Sequence, residues 1–283
     1  MLKGTSIVFK LYLAMLEYFS EYLSGKYSVS SLDSPNHYKT NIIQKIVRMF
    51  HTLDELTNKI EDEVSARCVL RGILDSVTTY CFIYEREDKS DMLFRHYLYA
   101  LDGLTTYKKA IVDGVLEDGS NKTFFEYSCN MAIVQLRQAL YNHPYTNLDN
   151  TNIETIIKNH NWKYASIDNP NGLSFYRMYR AVLLDEKLVN YYSGILSQYA
   201  HGLCLSNNPC VNQEQIRNVL YESILLADRI VKGIYRTFPQ KEIVNNFLHS
   251  ESYKRIMHCQ GGDHDELLEY AQGIMRGDKI IYI

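Results

Sequence analysis

Apolar residues recur at three- and four-residue spacing along almost the whole chain, while the alternation that marks a half-buried strand is nearly missing. Little interrupts this pattern: 14 Gly and 5 Pro in 283 residues are roughly half the usual share of helix-ending residues. A chain with one dominant period and few breakers is constrained to long, tightly connected helices, and the expected class is all-α, a multi-helix bundle. The periodicity predicts helices over 6–24, 38–61, 63–86, 89–115, 122–142, 151–160, 173–204, 212–237, 239–249 and 263–276. Asn212, Asn121 and the pair Ser90-Asp91 are candidate caps. With no repeat and no Gly/Ser linker, residues 1–238 read as one helical domain with helix 6–24 packed on it, and 239–283 as a C-terminal helical appendage.

Charge narrows the partners. A formal net charge of −3 removes the generic drive toward nucleic acid or anionic membrane, so any RNA contact must come from a local patch. The apolar stretch Ile7 to Leu23 contains Lys10, Glu17 and Glu21 and has no small-residue cleavage site, so it reads as an amphipathic helix and not as a signal or membrane span. The six cysteines are scattered, and Cys68 and Cys81 lie in apolar helical stretches where free thiols act as small buried hydrophobes. A cytoplasmic setting and no membrane association are the simpler expectations. Tyr supplies 24 residues, and their hydroxyls need water or a hydrogen-bond partner.

Three predicted helices carry polar lines on otherwise apolar faces. Arg67, Arg71 and Asp75 are spaced i, i+4, i+8; Arg95 and Asp102 are seven apart; Asn190, Ser193, Ser197 and His201 share a face with Gly194. Buried charge must be paired, so Arg71, Asp75, Arg95, Asp102, Ser197 and His201 are expected to join a polar cluster. Two readings stay open: a structural network that fixes helix register, or a small-molecule or phosphate pocket with Arg71 and Arg95 as anion ligands and His201 as the titrating group.

A second constellation is Arg137-Gln138-Ala139-Leu140-Tyr141-Asn142-His143. Metal-free RNA cleavage needs a His to move a proton and an Arg to stabilise charge on the phosphoryl group, which makes Arg137 and His143 the candidate catalytic pair. Residues six apart on a helix point about 120° from one another, so convergence requires unwinding after Leu140, which Pro144 favours. The alternative is a surface Arg plus a His at the helix C-terminus. His258-Cys259-Gln260-Gly261-Gly262-Asp263-His264-Asp265 holds several ligand types without the spacing of an ordered zinc site, and Cys204 and Cys210 flank a turn. There is no phosphate-binding glycine loop, nucleophile elbow or kinase motif, so no metal and no cofactor is expected.

Arg67-Cys68-Val69-Leu70-Arg71-Gly72-Ile73-Leu74-Asp75, Leu93-Phe94-Arg95-His96-Tyr97-Leu98-Tyr99 and the run from Tyr192 to Gly202 resemble a group of uncharacterised bacterial helical proteins similar to the HEPN superfamily. The resemblance covers about residues 60–205. It implies a bundle core, a homodimer or a hetero-complex with another protein, and metal-independent RNA cleavage in toxin–antitoxin or phage-defence settings through an Arg-x(4–6)-His motif, which Arg137 and His143 match. The chain departs from the usual motif in Gln138 after the Arg and Pro144 after the His. The other function class is a non-enzymatic helical interaction or ligand-sensing module that works as an oligomer.

Overall fold

The computed structural model describes residues 2–28, 34–112, 114–148, 150–183, 185–202 and 213–238, with 246, 247, 250, 253 and 254. Among them the fold is all-α apart from one small hairpin. The helices are α1 (Leu2–Lys26), α2 (Pro35–Glu55), α3 (Glu63–Tyr84), α4 (Lys89–Tyr107), α5 (Ser120–Tyr141), α6 (Thr151–Lys158), α7 (Phe175–Leu183), α8 (Glu186–Ala200) and α9 (Gln213–Thr237). Strands β1 (Tyr164–Ser166) and β2 (Asn169–Gly172) pair antiparallel, Tyr164 opposite Gly172. No described helix is long and apolar enough to cross a membrane. The expected helix over 263–276, most of 239–249, the Asn212 cap and Cys204, Cys210 and Cys259 lie outside the described residues.

Contacts divide the described chain into two compact units: the residues within Met1–Ser28, Lys39–Cys81 and Tyr179–Ile283, and those within Val29–Tyr38 and Phe82–Met178. In the first, α1 packs along α9. Leu11 to Leu16 of α1 are buried without a break, the mark of a helix enclosed on all sides. The α9 face is one-sided: Ile216, Val219, Leu220, Ala227, Ile230 and Ile234 are buried while Tyr221 and Tyr235 stay exposed. The Tyr12 hydroxyl donates to Asp228 at 3.0 Å, so one buried phenol of α1 finds its partner on α9. Cys68 is exposed, not buried as expected, whereas Cys81 and Cys129 are buried; none of the three forms a disulfide among the described residues.

In the second unit α4 packs on α5, and α6 lies on β2. Phe94, Leu98 and Leu101 form the buried row of α4, and Cys129, Leu136 and Leu140 that of α5. The hairpin falls where the sequence pattern predicts a polar connection, and strands of three and four residues are too short to show alternation. The expected helix 173–204 is two helices. The Asp185 carboxylate accepts from the backbone N–H groups of Lys187 at 2.9 Å and Leu188 at 3.2 Å, capping α8 afresh. The α4 cap is Asp88, whose carboxylate accepts from the Ser90 N–H at 2.7 Å, and α5 begins after Gly119 instead of at Asn121.

Candidate functional site

The polar lines on the apolar helices resolve into local arrangements. In the first unit the most buried cation is Arg67, whose Nε donates to Glu63 at 2.7 Å and whose Nη1 lies 3.3 Å from Glu222. The Tyr191 hydroxyl donates to the same Glu222 carboxylate. Burial works against the guanidinium charge, but the two carboxylates outweigh it and hold Arg67 above its ordinary value. One turn along, Arg71 pairs with Asp75 at 3.3 Å and Tyr179 donates its hydroxyl to Asp75. Burial, and then Asp75 beside it, raises the Tyr179 phenol. Ser197 and His201 end α8 instead: His201 is exposed and its backbone N–H closes the last turn on the Ser197 carbonyl at 3.1 Å.

Arg95 and Asp102 belong to the second unit, where both grip the segment following α6. Arg95, 2% exposed, donates to Asp91 at 2.9 Å and to the backbone carbonyls of Trp162 at 3.1 Å and Tyr164 at 2.9 Å. Its guanidinium lies 3.7 Å from the centre of the Tyr164 ring. The Trp162 indole N–H donates to Asp102 at 3.2 Å. Arg95 and Asp102 therefore serve as a clamp that fixes where the chain emerges from α6.

At Arg137 and His143 the helix does unwind where convergence requires: α5 ends at Tyr141, the His143 N–H reaches back to the Leu140 carbonyl at 3.1 Å, and His143 is extended at φ −72° and ψ 141° before Pro144. The imidazole then turns inward. It is 4% exposed, its Nδ1 accepts from the Tyr145 N–H at 3.2 Å, and its Nε2 faces the Ser90 carbonyl at 3.1 Å. With Nδ1 accepting, the proton sits on Nε2 and is donated to Ser90. Burial holds the ring below the ordinary histidine range, and Phe94 and Tyr145 flank it at 5.0 and 4.9 Å. Both nitrogens are committed to structure.

Arg137 remains exposed and opens onto a groove of about 790 Å³ formed by the end of α5, the turn Pro144–Asn147 and α6. His143 does not line this groove; His160 does, together with Lys158, Glu154, Tyr141 and Asn150. His160 follows α6 in the left-handed region at φ 49°, a conformation in which His is enriched among non-glycine residues. It is held there by its N–H on the Ile157 carbonyl at 3.1 Å and by its own carbonyl accepting from Trp162 at 2.9 Å. Half-burial lowers its pKa first, the positive charge of Arg137 lowers it further, and Asp102 opposes both. Both effects favour the neutral imidazole, and Arg137 makes no ion pair or side-chain hydrogen bond among the described residues. This arrangement can receive an anion and take up a proton.

Of these two groove residues the sequence pattern singles out Arg137 and not His160. The two are 23 positions apart, and only the turn, α6 and the Arg95/Asp102 clamp bring them to one groove. A local hint exists in Asn159-His160-Asn161, a run of residue types tolerant of left-handed geometry at a helix end. Among the described residues no three His, Cys, Asp or Glu side chains gather as a metal site. No family model, curated protein or solved structure matches this chain.

Proposed function

We propose that this chain is an RNA-directed helical protein that holds a phosphate of single-stranded RNA in the groove of Arg137, Lys158 and His160. The observation behind this reading is that Arg137, which makes no ion pair or side-chain hydrogen bond among the described residues, lines one groove with Lys158 and His160. A phosphodiester would complete the charge of Arg137 and Lys158. In the cleavage step His160 takes the 2′-hydroxyl proton, the 2′-oxygen attacks phosphorus, and the 5′-oxygen leaves with a proton from a water whose hydroxide takes the proton back from His160, giving a 2′,3′-cyclic phosphate and a 5′-hydroxyl. Arg137 stabilises the phosphorane charge. His143, the motif histidine, has a structural role in this scheme. The HEPN-like resemblance adds a toxin or phage-defence setting.

The test is cleavage of a labelled single-stranded RNA in chelator-treated buffer. Wild type is expected to leave a cyclic phosphate, with Arg137→Ala and His160→Ala each at least ~100-fold slower. Equal rates for wild type and both variants overturn the scheme. A second reading, a non-enzymatic interaction module, draws support from the Arg67–Glu63–Glu222 and Arg95–Asp91 networks, which are closed cores more than open pockets. Tight RNA binding without product would favour that reading.

A further inference from the structure

The face of α5 turned away from its own unit carries an apolar stripe. Phe124, Tyr127, Met131 and Val134 are 65, 65, 45 and 59% exposed, and Tyr141 is 64% exposed. With Gln138, they are spaced 3, 4, 3, 4, 3, the a and d positions of a coiled-coil seam. The buried row Cys129, Leu136 and Leu140 already anchors the helix on its other side, so the stripe is additional to the core. Soluble surfaces rarely leave such a contiguous apolar row uncovered.

We infer that α5 pairs antiparallel with α5 of a second copy of this chain. The stripe is self-complementary about a two-fold axis between Met131 and Val134: Met131 meets Val134, Tyr127 meets Gln138, and Phe124 meets Tyr141. The one polar seam residue, Gln138, thereby faces a phenol that can share its hydrogen bond. The flanking positions Thr123, Ser128, Asn130 and Gln135 are uncharged, and Arg137 falls opposite Ser128, so like charges do not oppose self-pairing. Taking roughly 150–250 Å² per ring, the stripe presents about 600 Å² per copy. Two copies then bury about 1,200 Å², the lower edge of a standard stable interface. The pairing holds under either reading of the groove, and chain mass and RNA cleavage can fail separately.

The test is mass by sedimentation equilibrium of the full chain at tens of micromolar, with Met131→Lys and Val134→Glu. Wild type is expected at twice the chain mass, and each variant at the single-chain mass with unchanged helical circular dichroism, a loss of roughly 100-fold in dimer affinity. Mixing the two variants should restore the dimer, because the antiparallel register sets the introduced ammonium of one copy against the introduced carboxylate of the other and leaves the second Met131–Val134 contact apolar. A monomeric wild type, mass unaffected by either variant, or a mixture that stays monomeric overturns the inference.

Discussion

Lys39 on α2 is 6% exposed, a position that almost no lysine occupies without compensation. Its ammonium donates to the Thr237 carbonyl at 3.3 Å, at the C-terminal end of α9 where backbone carbonyls lack helical partners, and lies 4.1 Å from the centre of the Phe238 ring. These contacts only partly replace water, and burial lowers the lysine from its ordinary 10.5 to about 8. Between those two values the unfolded chain holds a proton that the folded chain has released, so stability rises with pH through that window and is lost again as pH falls through 8. At about 1.4 kcal/mol per unit, the group contributes about 2 kcal/mol of rising stability by about pH 9.5 and about 3 kcal/mol by about pH 10.5. The perturbation is Lys39→Met, which keeps the aliphatic stem and removes the titration. Urea unfolding of wild type and variant between about pH 7 and 9.5 should show the variant's relative stability falling by about 2 kcal/mol as wild type gains. Taking the difference cancels thiols and phenols common to both chains. A difference that stays flat across this range would mean that the ammonium is solvated, and would refute the burial argument.

Two further outcomes concern the scaffold of the groove. Arg95→Met leaves the Trp162 and Tyr164 carbonyls and Asp91 without their buried donor, and is expected to cost about 3–5 kcal/mol in urea unfolding, with loss of near-ultraviolet dichroism from Trp162. His143→Gln should cost about 1–3 kcal/mol at about pH 7 by giving up one of two backbone partners. It should also flatten the stability loss that wild type shows as pH falls below 6.5, because a histidine held below its ordinary value favours the fold only while it is neutral.

The helical class was legible because the 3.6-residue period survives single-residue noise over long segments, and the ends of α3, α5 and α9 fall within two or three residues of the expected ones. The hairpin was not, since neither strand is long enough to show a period. The polar stripe on α3 told that charge enters a core but not which charge lies deepest. Arg71 and Arg67 share a face, and only the tertiary position of Glu222, 155 residues later, selects Arg67. Likewise Arg95 and Asp102 do share one face of α4, yet their partners are Trp162 and Tyr164 instead of another charged helix. The structure parts the two motif residues for a local reason: the turn that frees His143 from the helix also delivers its ring to Ser90, while Arg137 stays exposed. Exposure, which decides between the two faces of α5, is invisible in a sequence where both rows are apolar.

The groove assignment is tested most directly by the titration of His160 itself. Proton NMR of the imidazole, assigned through His160→Gln, should give a pKa below the ordinary histidine value in wild type and a higher one in Arg137→Met, where the neighbouring positive charge is gone. Adding a short single-stranded RNA should raise the wild-type pKa by placing a phosphate beside the ring, and should leave that of Arg137→Met nearly unchanged. A His160 titration indifferent both to Arg137 and to RNA would contradict the assignment of this groove as the phosphate site.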